Sequence, residues 1–282
     1  MRVIRQLVFT LLAVAIGASA SAAPFVVGTT SNAGRWVSDS VYSSLRGALL
    51  DPQRFGPGGV VDRPVQFAAP GGPITGQYLA GVDTFFLNEP YEALSTAEID
   101  ALKAFVLSGR SLLMVSESEG NAAIDAVLQA LDGSSIGGFH GTTGSDVYAL
   151  GGSSALLAGP FGNLAGQALG GSPGAGITLG SRSTAVATYG SHVLVSEMAP
   201  GALAPNSGRV LVLGDVLFMN YFWPGGGIAP DPDNAILALN YFAAAANTSP
   251  STDPGHDVPE PVTVLLLGVA GLAAARRARH AR

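Results

Sequence analysis

The strongest constraint on the fold of this chain is a strand, helix and strand pattern near its middle. Residues Val82–Leu87 form a mostly apolar run that fits a buried strand, and Ser111–Val115 form a second one. Between them, Ser95 and Glu98 have the spacing of a capping box at the start of a predicted helix, Thr96–Leu107. Strands joined in this way pair in parallel through a right-handed crossover. The pattern therefore predicts a β-α-β unit within a parallel sheet.

Similar apolar runs and amphipathic segments alternate on both sides of this unit. The further predicted strands are Phe25–Thr29, Pro64–Phe67, Thr184–Tyr189, His192–Ser196 and Arg209–Leu213, and the further predicted helices are Arg35–Leu50, Asn121–Leu131 and Asp231–Ala245. Buried strands that alternate with helices are typical of α/β domains. We therefore expect one flavodoxin-like α/β domain over residues 24–247, with a mainly parallel central sheet flanked by helices.

One stretch inside this domain, residues 133–180, is rich in glycine. Its composition predicts loops or short strands and no helix. An insert of this length is either a functional surface loop or a mobile one. Just beyond it, Gly190 and Ser191 separate two predicted strands and indicate a tight hairpin.

The first 23 residues have the order of a secretion signal. A basic start with Arg2 and Arg5 leads into the apolar run Leu7–Ile16, and small alanines follow up to Ala23. The apolar run is shorter than the roughly 20 residues that a membrane-spanning helix needs. We therefore predict that residues 1–23 are a signal peptide and that the protein is exported.

The other end of the chain has three parts in a fixed order. Pro259, Glu260 and Pro261 come first, an apolar stretch over 262–275 follows, and arginines that include Arg276 and Arg277 close the chain. This end resembles the PEP-CTERM sorting signal of Gram-negative bacteria. The resemblance implies that residues 258–282 form a sorting tail, joined to the domain by a polar linker over 248–257.

In that family an exosortase-type membrane protease is the partner that recognises and cuts the tail. The resemblance implies that the apolar helix inserts transiently into the inner membrane and that the arginines hold its end on the cytoplasmic side. The protein then reaches the cell surface or the extracellular space. A plain membrane anchor is the alternative, although the stretch over 262–275 is short for one.

Charge and cysteine content exclude several classes of function. Residues 24–258 carry eight basic and 19 acidic side chains, which gives a net charge of −11. Such a surface repels nucleic acids and anionic lipids. The chain has no cysteine, and this excludes disulfides, thiolate metal sites and a cysteine nucleophile.

Several segments of the domain resemble class I glutamine amidotransferase-like domains, including the DUF4350-type branch. The similar segments are Leu94–Gly109, Leu157–Gly162, Gly208–Asp215, and the last predicted helix with Asp233, Asn234 and Asn240. The amidotransferases carry a nucleophilic cysteine after a central strand, where this chain has Ser116-Glu117-Ser118-Glu119-Gly120. The resemblance therefore implies the fold and does not imply the catalytic triad.

Polar residues follow several of the predicted strands. In an open parallel sheet, ligands bind beyond the carboxyl ends of the strands. The candidate ligand edge consists of Asn32, Asn88, Glu89, Ser116, Glu117, Asp215 and Asn220.

Three further hypotheses concern chemistry at or near this edge. Asp231 and Asp233 are candidate ligands of Ca²⁺, and helix capping is the alternative. A serine hydrolase would use Ser116 or Ser118 with His140 and Glu117. The aromatic residues that fit a carbohydrate-stacking surface, with burial in the core as the alternative, are Trp36, Tyr221 and Trp223.

Taken together, the sequence favours an exported protein without catalytic activity. We expect a binding or matrix module at the cell surface, associated with exopolysaccharide, and no resident cofactor. A serine-dependent or metal-assisted hydrolase is the alternative.

The sorting hypothesis makes one direct prediction. Replacing Pro259, Glu260 and Pro261 by alanine should leave the tail uncut, because the protease then lacks its recognition motif. Cell fractionation and immunoblotting should find the longer chain in the inner membrane. Release of this variant at the normal rate would contradict the sorting hypothesis.

Overall fold

The computed structural model describes residues 22–35, 39–117, 121–140, 146–171, 174–218 and 231–248. Residues 1–21 of the predicted signal peptide, the sorting motif and the apolar tail lie outside these ranges. Within them, no helix has the length and apolar character needed to cross a bilayer.

The described residues form a mixed α/β structure. Its strands are β1 (Phe25–Thr29), β2 (Val65–Phe67), β3 (Thr84–Asn88), β4 (Ser111–Val115), β5 (Ser135–His140), β6 (Asp146–Leu150), β7 (Ala158–Gly159), β8 (Gly162–Asn163), β9 (Ala168–Gly171), β10 (Gly174–Thr178), β11 (Thr184–Tyr189), β12 (His192–Met198) and β13 (Val210–Leu213). Its α-helices are α1 (Ser43–Leu50), α2 (Gly76–Leu79), α3 (Thr96–Leu107), α4 (Ala122–Leu131) and α5 (Pro232–Thr248). Short 3-10 helices cover Ser40–Tyr42 and Ala155–Leu157.

The centre of the sheet is parallel. Strands β2, β1, β3, β4 and β13 lie side by side in that order, all in parallel. Strands β12, β11, β6 and β9 continue the sheet in antiparallel fashion beyond β13. Strand β10 pairs with both β12 and β5. The expectation of a largely parallel central sheet flanked by helices is confirmed for this part of the chain.

Helices cover both faces of the parallel strands. Phe86 and Leu113 point into a core shared with α1 and α5, whereas their neighbours Phe85 and Leu112 point into a core shared with α2, α3 and α4. Side chains alternate between the two faces of a strand, so strands covered on both faces are apolar throughout. Burying each such Leu or Phe stabilises the fold by roughly 1.5–3 kcal/mol.

The predicted β-α-β unit is present. The Ser95 hydroxyl caps the backbone N–H of Glu98, and the Glu98 carboxylate accepts from the backbone N–H of Ser95 at 2.9 Å. Gly109 ends the unit's helix with a φ of 96°, a conformation that glycine adopts without strain. The predicted hairpin at Gly190 is also present, with Tyr189 opposite His192.

Some predicted boundaries are wrong. The helix expected over 35–50 begins only at Ser43, after a 3-10 turn, and Arg35 is not helical. The short helix α2, capped by Thr75, is not among the helices that the sequence predicts. Helix α5 extends to Thr248, three residues beyond the predicted end at Ala245. A run of alanines at its end favours this extension, because alanine has the highest helix propensity.

About half of the described residues of the glycine-rich stretch lie in short strands of the main sheet, one of the two alternatives that its composition predicts, so the stretch as a whole is not a surface loop. It contributes β5, β6, β9 and β10 to the main sheet. Two of its glycines show why a larger residue would not fit at these positions. A side chain at Gly171 would collide with the ring of Tyr148, and one at Gly174 would collide with the backbone of Gly214. At these positions glycine allows close approach between neighbouring segments. The resulting high glycine content is also typical of loops, so composition alone does not distinguish the two.

A buried ion pair holds the end of the sheet where β1 and β3 begin. The Arg63 guanidinium donates to the carbonyl oxygens of Ala23, Pro24 and Ala246 at 3.1, 3.0 and 2.8 Å. It also contacts the fully buried carboxylate of Asp83 at 3.0 Å. One side chain therefore ties the start of the domain to β3 and to the end of α5.

Replacing Arg63 by Met should lower the free energy of unfolding by about 3 kcal/mol, because a buried carboxylate loses its cation. Urea unfolding measures this change. The control is Arg54→Met, since Arg54 forms an ion pair with Asp51 on the surface at 3.4 Å. That control should change the free energy by less than about 1 kcal/mol. Equal changes in the two variants would contradict the anchoring role of Arg63.

Candidate functional site at the carboxyl edge of the sheet

The carboxyl ends of β1, β3, β4 and β13 meet at one end of the sheet, which we call the carboxyl edge. The predicted ligand residues there are Asn32 after β1, Asn88 and Glu89 at the end of β3, Ser116 and Glu117 after β4, and Asp215 after β13. The chain runs from β1 outward to β2 and then crosses back to β3 on the other side. Ligands of open parallel sheets bind where the strand order reverses in this way. The carboxyl edge is therefore the candidate site.

The loops after β1 and β3 are joined through their backbones. The N–H of Gly34 donates to the carbonyl oxygens of Asn88 and Glu89, each at 2.9 Å. A side chain at Gly34 would lie 2.6 Å from the Glu89 oxygen, so only glycine allows this approach. Glu89 itself has a φ of 42°, in the left-handed region that residues other than glycine rarely adopt. Such strain is common at functional sites.

A second set of hydrogen bonds fixes the same two loops. The Asn32 amide donates to the Glu92 carbonyl at 3.1 Å, and its oxygen accepts from the Glu92 N–H at 3.0 Å. The N–H of Tyr91 donates to the Asn32 carbonyl at 3.1 Å. Asn32 therefore holds the loop after β3 in place through both polar atoms of its side chain.

The ends of β3 and β4 are linked through Glu89. Its N–H donates to the Val115 carbonyl at 3.0 Å, and its carboxylate accepts from the Glu117 N–H at 2.9 Å. Both glutamate side chains are partly exposed. The structure thus places two carboxylates from adjacent strands together at the surface of the carboxyl edge.

Three of the predicted ligand residues lie beneath this surface. Asn88, Ser116 and Asp215 are fully buried. The Asn88 amide donates to the Tyr42 hydroxyl at 2.9 Å, and the Tyr148 hydroxyl donates to Asp215 at 2.6 Å. In this conformation the three residues support the edge from below, and their direct contact with a ligand stays a prediction.

The local charges act on Glu117. Burial, together with the negative charges of Asp215 and Glu89, raises the pKa of its carboxyl group to about 7, and the Arg35 guanidinium opposes this shift. A carboxyl group with this pKa exchanges its proton near neutral pH. It can accept hydrogen bonds when charged and donate one when protonated.

One of the two carboxylates proposed for Ca²⁺, that of Asp231, has a structural role. Asp231 precedes α5, and its carboxylate accepts from the N–H groups of Asp233 and Asn234 at 2.8 and 3.3 Å. This is helix capping. Within the described ranges, no group of three His, Cys, Asp or Glu side chains is arranged to hold a metal ion. Calcium binding by Asp231 and Asp233 stays a prediction.

The residues of the serine hydrolase hypothesis are only partly visible. Ser116 is fully buried at the end of β4, where a dissolved substrate does not reach its hydroxyl. Ser118 and the side chain of His140 lie outside the described residues, as do the predicted edge residue Asn220 and the aromatic residues Trp36, Tyr221 and Trp223.

Four residues that shape the edge did not stand out in the sequence: Arg35, Tyr42, Tyr91 and Tyr148. Tyr148 lies in the glycine-rich stretch, where the composition did not locate individual strands. Arg35 was assigned to a helix. Tyr91 follows Pro90 directly after β3, and this position beyond a strand end was the one signal that pointed to it.

No known family model matches this chain, and no curated protein matches it. Among solved structures, the N-terminal domain of mmIFT52 is similar, with a TM-score of 0.58 and 16% identity over 79% of this chain and 97% of that domain. This likeness shows a shared fold and says nothing about function.

Two further structures are more distant. The cold-adapted β-galactosidase from Rahnella sp. R3 has a TM-score of 0.48 and 14% identity, over 79% of this chain and 31% of the enzyme. A ThuA-like protein from Bacteroides uniformis ATCC 8492 has a TM-score of 0.47 and 9% identity, over 80% of this chain and 94% of that protein. Similarities this weak support no conclusion about fold or function.

The raised pKa of Glu117 predicts a specific pH dependence of stability. An unfolded Glu loses its proton near pH 4.3, whereas the folded protein holds this proton up to about pH 7. The folded state therefore binds more protons in this window, and stability falls as the pH rises from about 4.3 to 7. The loss is complete above the folded pKa.

Replacing Glu117 by Gln should remove this loss. We expect the variant to gain about 1 kcal/mol relative to the unmodified protein between pH 5 and pH 8, a value reduced for the partial exposure of the side chain. Urea unfolding at both pH values measures the difference. Glu92→Gln, on an exposed side chain of the same edge, is the control. A gain of the same size in both variants, or in neither, would contradict the assignment.

Proposed function

We propose that this chain is an exported protein that is sorted to the cell envelope and binds extracellular polysaccharide without transforming it. In this proposal, residues 1–23 direct export. An exosortase-type protease then recognises Pro259, Glu260 and Pro261 and releases the domain from the inner membrane, where Arg276 and Arg277 hold the tail. The domain is displayed at the surface or released outside the cell.

Composition supports the extracellular part of this proposal. A chain without cysteine folds in an oxidising compartment without any risk of mispaired disulfides. The net charge of −11 over residues 24–258 favours solubility and disfavours adsorption to anionic lipid.

For the fold, we propose the finer assignment to flavodoxin-like, class I glutamine amidotransferase-like domains. The parallel strands lie in the order β2, β1, β3, β4, β13. When they are numbered consecutively this order is 2-1-3-4-5, the order of flavodoxin-like sheets. The amidotransferase nucleophile would stand after β4, where this chain has a buried serine, Ser116.

The observation that carries the binding proposal is the pair of partly exposed carboxylates, Glu89 and Glu117, at the strand reversal. A carboxylate has about four acceptor positions. Polysaccharides present closely spaced hydroxyl donors, which match two adjacent carboxylates. The backbone bonds at Gly34 and Val115 hold the Glu89 backbone in place before a ligand arrives, so little entropy is lost on binding.

A hydrolase is the second candidate function, and one observation favours it. A carboxyl group with a pKa near 7, such as Glu117, suits a general acid or base at neutral pH. Glu89 would then provide the second carboxylate of a pair, as in many enzymes that cleave glycosidic bonds. The two candidate functions differ in whether the bound glycan is cut.

Binding to an array of neutral, amine-bearing and uronate-bearing oligosaccharides tests the proposal. The full chain, as its host processes it, should bind at least one class. At pH 8, above the pKa of Glu117, Glu89→Gln and Glu117→Gln should each weaken binding about tenfold, because each removes a charged acceptor. Asp62→Asn is the matched control, since it removes one exposed charge before β2, at the opposite end of the sheet.

The outcomes separate the alternatives. Binding that is unchanged in both glutamate variants would contradict the proposed site. A lack of binding to every glycan would contradict the proposed function. New reducing ends that form with the unmodified chain and not with Glu117→Gln would replace the binding proposal by the hydrolase.

A further inference from the structure

Tyr91 has the most exposed large apolar side chain that the structure describes. Its relative exposure is 80%, and it lies in the loop after β3, two residues beyond Glu89. A large aromatic side chain gains by burial, so its exposure next to a strand reversal requires an explanation. An aromatic ring that is exposed and also fixed in place is suited to contact with a ligand.

Tyr91 is held in place both at its side-chain hydroxyl and at its backbone. The Tyr91 hydroxyl donates to the Gly34 carbonyl at 3.0 Å, and its backbone N–H donates to the Asn32 carbonyl at 3.1 Å. The next residue, Glu92, is fixed by the reciprocal pair with the Asn32 side chain. Rotamer freedom that an exposed tyrosine normally keeps is thus already lost in the free protein, and this lowers the cost of binding.

The hydroxyl bond also limits what Tyr91 can recognise. Because its only donor is directed to Gly34, the side chain presents chiefly its aromatic faces and edges. A partner for such a surface needs apolar C–H groups in a flat arrangement. The rings of pyranose sugars have this arrangement on their faces and carry hydroxyl groups around their rims.

The negative charges near the Tyr91 ring restrict the class of sugar further. Glu92 is exposed beside Tyr91, and Glu89 is partly exposed two residues before it. Carboxylates accept hydrogen bonds from hydroxyl groups and repel other carboxylates. The surroundings therefore match sugars without acidic groups and oppose uronic acids.

We propose that Tyr91 is a stacking platform for a ring of a glycan without acidic groups, with Glu92 and Glu89 as acceptors for its hydroxyl or ammonium groups. This inference rests on the proposed function and specifies its site and its ligand class. The site lies on the loops that follow β1 and β3. The glycan chain extends from it along the carboxyl edge toward Glu117.

Isothermal titration with neutral, amine-bearing and uronate-bearing hexasaccharides tests this inference on the full chain as its host processes it. Tyr91→Ala should weaken binding of the neutral glycan at least about tenfold, as expected for an aromatic residue that dominates an interface. Tyr91→Phe keeps the ring and loses the bond to Gly34, so it should weaken binding only about twofold to threefold. Leu50→Ala, a 51% exposed apolar residue at the end of α1, is the matched control. Thermal melting verifies that each variant is folded.

Each result decides between stated outcomes. Unmodified binding by Tyr91→Ala, with the unmodified chain binding a glycan, would overturn the platform and leave the proposed function standing. Equal losses in Tyr91→Ala and Tyr91→Phe would assign the effect to the hydroxyl bond and overturn stacking. A preference for the uronate-bearing glycan would overturn the ligand class. If the unmodified chain binds none of the three, the proposed function fails and the inference fails with it.

Discussion

The close contact between Gly34 and the end of β3 is the constraint on which the carboxyl edge depends. One N–H group binds two consecutive carbonyl oxygens, of Asn88 and Glu89, and this is possible only without a side chain at position 34. The contact accompanies the left-handed backbone at Glu89. That backbone in turn sets where the Glu89 carboxylate meets the Glu117 N–H and where the loop to Tyr91 begins. A single glycine thus positions both parts of the proposed site.

The two ends of the sheet differ in how their acidic side chains are neutralised. At the end where β1 and β3 begin, the buried carboxylate of Asp83 lies against the Arg63 guanidinium, and the pair joins three segments of the chain. At the carboxyl edge, Glu117 has two acidic neighbours, and among the described residues Arg35 is the cation that opposes them. Crowding of like charges lowers the stability of the folded protein at this edge. Backbone hydrogen bonds and the side chain of Asn32 hold its loops together. Stability and the proposed recognition therefore lie at opposite ends of one sheet.

Local signals predicted much of this fold, and contacts distant in sequence explain the failures. The capping box at Ser95 and the cap at Asp231 are local, so the helices that they begin were predicted to within a few residues at each end. The individual strands of the glycine-rich stretch could not be told from loops, because glycine favours loops when its neighbours in space are unknown. The sequence likewise placed Asn88 and Asp215 at the edge but did not reveal that they are buried. Their hydrogen-bond partners, Tyr42 and Tyr148, belong to segments distant in sequence.

The shape of the proposed site is consistent with a polymer as its ligand. One exposed ring and the three carboxylates of Glu89, Glu92 and Glu117 contact only a few sugar units, and a contact of this size is weak by itself. A polysaccharide presents the same unit many times, and a sorted protein stands in many copies on one surface. Repeated units raise the effective concentration around each site, so weak individual contacts add up to lasting attachment. Weak individual contacts are then sufficient for the proposed attachment to a polymer, whereas capture of single sugars would require a deep pocket.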